Sequence, residues 1–137
     1  MKKMLLFIAL GLFLNACDIG GNDNTDYVLN IVPLSDVTMP TAFAKDSITN
    51  IPLKYIRPTT CHFFDSFYYE KVNFERTVAI YCAQSLQGNC EADNVTAVEV
   101  NLPFKPTELG VYRFKFLIGQ DVNNVPQFLE FDATVDH

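Results

Sequence analysis

Apolar and polar side chains alternate one by one along residues 111–118, and again along residues 127–135. Because successive side chains of a β-strand point to opposite faces, this pattern predicts two strands, each with one buried face. Residues 119–124 lie between them and are rich in the turn formers Gly, Asp and Asn. The sequence therefore predicts a β-hairpin with a single buried face. Its inward side chains are expected to be Tyr112, Phe114, Phe116, Ile118, Leu129, Phe131, Ala133 and Val135.

The sequence from residue 27 onward keeps this two-residue period and shows no sustained helical spacing. Further strands are predicted at residues 27–33, 47–57, 62–70, 74–82 and 95–102. Seven or eight short strands separated by Pro, Gly and Asn predict an all-β sandwich over residues 27–137. Pro52 lies inside a predicted strand, which indicates an edge strand or a bulge. The inward side chains of these strands are expected to be Leu29, Ile31, Ile51, Leu53, Tyr55, Val78, Ile80, Cys82, Thr96, Val98, Val100 and Leu102.

Two short motifs stand at the start of the 111–118 strand. Phe104-Lys105-Pro106 precedes the strand, and Gly110-Val111-Tyr112 opens it. Together they resemble the entry to the penultimate strand of immunoglobulin-like domains in bacterial envelope proteins. The resemblance spans about residues 38–135 and implies an immunoglobulin-like antiparallel β-sandwich, with Tyr112 as a tyrosine corner bonded to nearby backbone. The chain has no Trp, and Phe114 stands where an antibody domain has its second Cys, so the resemblance does not extend to antibody domains.

The first residues have the layout of a secretion signal. Lys2 and Lys3 precede an almost unbroken apolar run over residues 4–14. As a helix, this run of eleven residues is about 16 Å long, whereas a bilayer core is about 30 Å thick. The sequence therefore predicts a cleaved signal peptide rather than a membrane span.

The end of the apolar run carries a modification motif. Leu14-Asn15-Ala16-Cys17 resembles the lipobox of bacterial lipoproteins. The resemblance implies a signal peptide at residues 1–16 and a mature chain that begins at a lipidated Cys17, anchored in a membrane by palmitate-type acyl chains. Residues 17–26 are rich in Gly, Asn and Asp and are expected to form a flexible tether. This places the protein in the bacterial cell envelope, at the periplasmic face or on the outer-membrane surface.

The remaining cysteines are expected to form one disulfide, because the bacterial envelope is an oxidising compartment. Cys61–Cys90 is the favoured pair, with Cys82–Cys90 as the alternative. Cys82 shares the predicted inward face of Val78 and Ile80, where a thiol can serve as a small apolar core residue.

Charge and motif content argue against several classes of function. Ten basic residues against sixteen acidic ones, a net charge of −6, disfavour nucleic-acid binding. His62 and Glu70 share strand parity and Asp65 does not, so these three side chains form no compact catalytic group. No hydrolase or phosphate-loop motif is present. The sequence therefore predicts a protein that is not an enzyme and has no catalytic residues and no cofactor.

A zinc site is the sharper alternative for the cysteines. It would use Cys61, His62, Cys82 and Cys90. No C-x-x-C spacing is present, and adjacent Cys and His residues on a strand point to opposite faces. The sequence therefore predicts no metal site.

The most aromatic segment is residues 63–69, which carries rings on both strand faces. Phe64 and Tyr68 are expected either to be covered by a loop or to form an exposed surface for a protein or glycan partner. The leading hypothesis is a lipid-anchored, non-enzymatic binding module. The alternatives are a structural envelope component without a ligand and, less favoured, an unrecognised hydrolase.

Overall fold

The computed structural model of the protein describes residues 26–137, which form two packed β-sheets. The strands are β1 (Tyr27–Val32), β2 (Leu34–Val37), β3 (Thr49–Ile56), β4 (His62–Val72), β5 (Glu75–Ser85), β6 (Ala97–Phe104), β7 (Gly110–Gln120) and β8 (Pro126–Val135). One sheet has the order β2-β3-β6, and the other contains β1, β4, β5, β7 and β8. The predicted all-β sandwich of seven or eight strands is confirmed, with eight strands. Within these residues, no helix is long and apolar enough to cross a membrane.

The larger sheet is organised around β5. One edge of β5 pairs with β4 along nearly its whole length. The other edge is divided, because residues 80–85 pair with β1 and residues 75–78 pair with β7. The β5–β7 pairing is parallel, so the antiparallel prediction holds for five of the six strand pairings and is wrong for this one. The physical reason is the connection: the chain leaves β5, forms β6 in the other sheet and returns, and such crossovers allow parallel neighbours.

The core lies between the inner faces of the two sheets. Phe104 of β6 contacts Tyr112 and Phe114 of β7 edge to face, with ring centres 5.1 and 4.9 Å apart. This geometry is favourable for aromatic pairs and adds to the gain from burial. Most of the predicted inward set is confirmed as buried: Ile51, Leu53, Tyr55, Val78, Ile80, Cys82, Leu102, Tyr112, Phe114, Phe116, Ala133 and Val135. Val98, Val100 and Phe131 are partly buried against this core.

β1 presents to the core the opposite face from the one that the sequence predicts. Leu29 and Ile31 are 51% and 50% exposed, whereas Val32 is buried. The register explains the difference, because Val32 lies opposite the inward Ile80 and Ile31 lies opposite Tyr81 on the outer face. Apolar residues occupy both parities of this segment, so pairing with β5 decides which of them enters the core.

Three other predicted inward side chains also lie outside the core. A register shift between Leu117 and Gly119 ends the alternation of β7, and Ile118 is exposed. Leu129 is exposed on β8, which is an edge strand of the sheet. Thr96 precedes β6, and its N–H donates to the carboxylate of Asp93.

Pro52 lies in neither an edge strand nor a bulge. It belongs to β3, the middle strand of the smaller sheet, and pairs with Asn101 of β6. β2 ends at Val37, opposite Leu53, and beyond that point the Pro52 carbonyl accepts a bond from the Thr38 N–H at 2.9 Å. Proline is tolerated there because β2 no longer needs a donor from β3 at this position.

The tyrosine corner is present at Tyr112. Its hydroxyl donates to the Glu108 carbonyl at 3.0 Å and accepts from the Glu108 N–H at 3.2 Å. Gly110 precedes it with a φ of 142°, and a Cβ at that position would lie 2.9 Å from the ring of Phe74. The glycine therefore allows the chain to enter β7 with Phe74 packed against Tyr112.

Candidate functional site

The predicted disulfide between Cys61 and Cys90 is confirmed, with a Cα–Cα distance of 5.3 Å. Cys82 is free and fully buried, as its inward position predicted. The bridge ties the connection between β5 and β6 to the start of β4.

An ion pair holds the same connection in place. Arg57 donates from Nε and Nη2 to Oδ2 of Asp93, at 2.8 and 2.6 Å. The other carboxylate oxygen of Asp93 accepts from the N–H groups of Val95 and Thr96. The Arg57 guanidinium, followed by these backbone donors, holds the pKa of Asp93 well below its usual range. The Arg57–Asp93 ion pair therefore has a structural role, because Asp93 also accepts bonds from backbone N–H groups of its own loop.

The three acid–base candidates of β4 do not converge. His62 is buried, with Nδ1 2.8 Å from the hydroxyl of Thr59, and burial lowers its pKa. Glu70 lies opposite Thr77 near the other end of β5 and accepts a 2.8 Å bond from Tyr68. Asp65 bonds the neighbouring Ser66 on the surface. Across residues 26–137, no group of three or more His, Cys, Asp and Glu side chains is placed to hold a metal ion.

A bulge in β4 determines which rings of the aromatic segment face outward. The register with β5 shifts between Phe64 and Ser66, so Asp65 is the extra residue. Phe64 and Phe67 consequently both pack on the core, with ring centres 4.9 Å apart. Of the two alternatives for these rings, Phe64 is therefore packed and half-buried, whereas Tyr68 is 38% exposed.

The outer face of the larger sheet carries a groove lined mainly by apolar side chains, with a volume of about 240 Å³. We call it the outer groove. The sequence predicted only Tyr68 among its residues as a partner surface. The predicted alternation puts Leu117 and Phe128 on the outer face, but it gives Ile31 the wrong parity and therefore does not reveal the groove. The groove is lined by Ile31, Tyr68, Glu70, Ala79, Leu117 and Phe128, among others.

The outer groove continues into a second depression of about 320 Å³ between β1 and the end of β7. Ile31 and Pro33 line one side, and residues 117–120 line the other. Within the described part of the chain, β1 pairs with β5 alone, and residues 117–120 of β7 pair with β8 alone. Two strand edges with unused backbone hydrogen-bonding groups therefore flank the depression.

The charged part of the same outer face carries two ion pairs. Arg113 and Asp132 form a cross-strand ion pair at 3.1 Å, and Lys115 lies 3.8 Å from Glu75. Opposite charges facing each other in this way stabilise a sheet surface.

Cys17, the signal peptide and all of the tether except Asp26 lie outside the described residues, so the lipidation prediction stays a prediction. Comparison of the chain with known proteins adds no relative: no family model matches the sequence, and neither a curated protein nor a solved structure is similar to it.

Proposed function

We propose that this protein is a lipid-anchored binding module of the bacterial cell envelope that holds an extended apolar segment of a partner protein. The observation that carries the proposal is the outer groove and its continuation between β1 and β7. The anchor rests on the lipobox sequence that ends at Cys17.

The first observation in support is that the outer face carries exposed apolar side chains. Ile31 and Tyr68 are half to one third exposed there, although the charged pairs beside them show that polar side chains also fit this sheet. Contiguous apolar surface rimmed by polar residues marks interaction sites on monomeric proteins. The apolar set is therefore best explained by a partner that covers it.

The second support favours an extended polypeptide as the partner. Unpaired edges of β1 and β7 flank the depression, and an added strand would satisfy their backbone groups. Alternate side chains of such a strand would point into the outer groove. The two volumes, about 240 and 320 Å³, lie below and just above the lower limit for pockets that enclose a small molecule, about 300 Å³.

Site-specific photo-crosslinking tests the binding function. A photoreactive phenylalanine analogue replaces Phe128 in the full chain, expressed in cells, and Val95, which is 81% exposed away from the groove, is the matched control position. We expect an adduct with one envelope protein from position 128 and none from position 95. A synthetic peptide copying the crosslinked segment should then slow hydrogen exchange of β1 amides.

Three outcomes would contradict the proposal. Equal adducts from both positions would show that the groove selects nothing. An adduct that contains only a second copy of this chain would make the groove an oligomer contact. An adduct with a glycan would exclude strand addition.

The anchor is tested separately with Cys17→Ala. We expect the variant to leave the membrane fraction or to accumulate unprocessed, because no acylated cysteine is formed. A variant that is still cleaved and still membrane-bound would overturn the lipoprotein part of the proposal and leave the groove intact.

A further inference from the structure

A second site lies at the turn between β4 and β5, at the opposite end of β5 from the disulfide. Arg76, the second residue of β5, is only 4% exposed. Arginine is almost never buried to this extent unless a partner balances its charge, because removing the guanidinium from water is costly.

The groups that contact Arg76 are neutral and satisfy only part of the guanidinium. Nη1 donates to the carbonyl oxygens of Asn73 and Glu75, at 2.7 and 2.9 Å. The guanidinium carbon lies 5.0 Å from the centre of the Tyr112 ring, and the Tyr69 side chain also interacts with the guanidinium. Within residues 26–137, no carboxylate oxygen lies within 4.0 Å of its nitrogens. Because the guanidinium has five N–H donors, donors remain for a further acceptor.

The neighbouring strand adds a second positive charge. Lys71 of β4 lies directly opposite Arg76 in the strand register. Like charges in a cross-strand pair destabilise a sheet, and an anion between them would reverse that effect. Arg76 therefore lacks a balancing carboxylate and also lies opposite a second cation.

The space for such an anion is present. A pocket of about 320 Å³ is lined by both cations together with Asn73, Thr107 and Glu108. The hydroxyl of Thr107 and the amide of Asn73 are neutral groups that can donate to an oxyanion. Glu108 limits the positive potential of the pocket, so the site suits one compact anionic group rather than a polyanion.

We propose that this pocket, which we call the Arg76 pocket, binds an oxyanion, either a carboxylate or a phosphate group, with Arg76 as its main donor and Lys71 as a second positive charge. The guanidinium fork matches both kinds of group by paired hydrogen bonds. The site is independent of the outer groove, because Arg76 and Tyr112 belong to the inner side of the larger sheet.

Nuclear magnetic resonance of the full chain in detergent tests the proposal without any substitution. Inorganic phosphate and acetate are titrated separately, and chloride maintains the ionic strength. We expect a saturable shift of the Arg76 Nε–H signal with at least one of them. The arm that saturates at the lower concentration identifies phosphate or carboxylate as the preferred group. No saturable shift in either arm would overturn the proposal.

Substitutions test whether the anion binds at Arg76 and Lys71. Arg76→Gln should weaken binding by at least about tenfold, because a charge-assisted hydrogen bond is lost. Arg113→Gln is the matched control, since Arg113 is exposed on the outer face and already paired with Asp132. If Arg76→Gln fails to fold, Lys71→Gln decides, because Lys71 is exposed and its loss should weaken binding severalfold. Equal affinity for the wild type and Lys71→Gln would then reject the two-cation site.

Discussion

On the inner face of the larger sheet, Tyr112, Phe114 and Phe116 are at most 2% exposed, whereas Ile31 on the outer face is 50% exposed. Complete burial of a large apolar side chain contributes about 1.5–3 kcal/mol, so the inner face supplies stability that Ile31 supplies only in part. The comparison teaches that apolar residues of one sheet have two roles. Those inside hold the two sheets together, and those outside keep apolar area that a partner can still remove from water.

The largest effect is expected for Tyr112→Ala. The substitution leaves a cavity beside Phe74 and Phe104, whose rings pack on Tyr112. We expect the free energy of unfolding to fall by about 3–5 kcal/mol, a large share of the total for a small domain. Urea unfolding of the purified protein measures it. An unchanged midpoint would contradict the core position of Tyr112. It would also contradict the statement that the inner face supplies the stability.

Removal of the disulfide is expected to have the next largest effect, by a different route. Cys61 and Cys90 are separated by 29 positions, and opening a loop of this length gives the unfolded chain about 3–4 kcal/mol of additional entropy. The double variant Cys61→Ser, Cys90→Ser should lose this stability and retain binding at the outer groove. A reducing agent is the control, because it should destabilise the wild type equally and leave the variant unchanged.

Tyr112→Phe keeps the aromatic ring and therefore separates the contribution of the hydroxyl from that of ring packing. Only the two bonds between the hydroxyl and Glu108 are lost, so the expected cost is about 1–2 kcal/mol. The same urea experiment provides the measurement. A loss as large as that of the alanine variant would show that the hydroxyl, and not ring packing, dominates at this position.

The buried His62 is expected to make the free energy of unfolding depend on pH. Burial lowers its pKa from 6.5, so below about pH 6.5 the unfolded chain binds a proton that the folded chain binds less readily. Stability should therefore be complete above about pH 6.5 and should decrease as the pH falls through the interval below that value. His62→Gln should remove this part of the pH dependence. A wild-type stability that rises over the same interval would have the wrong sign for a buried neutral imidazole.

The smallest effect on stability is expected on the outer face. Ile31→Ser should change the free energy of unfolding by less than about 1 kcal/mol, since half of the side chain is already in water. It should nevertheless abolish the crosslink from position 128. Val95→Ser is the control that should alter neither property. A strong destabilisation by Ile31→Ser would show that Ile31 belongs to the core of the fold instead of a docking surface.

Local pattern was sufficient for part of this protein. The alternation along residues 111–135 predicted the β7–β8 hairpin, and the resemblance carried by Gly110-Val111-Tyr112 implied a hydroxyl bond to nearby backbone, which Tyr112 makes with Glu108. Both depend on residues close in sequence, where side-chain period and turn chemistry act directly. The Cys61–Cys90 pair followed from the inward parity of Cys82.

The sequence by itself determined the two-residue period, and with it the β class and most of the core. Only the tertiary structure decided the parity of β1, the bulge at Asp65 and the parallel contact of β5 with β7. The physical reason is that apolar residues occupy both parities of β1 and β4, so local pattern leaves two nearly equivalent orientations. Pairing with β5 selects one of them, and that selection places Ile31 in the outer groove and packs Phe64 against the core.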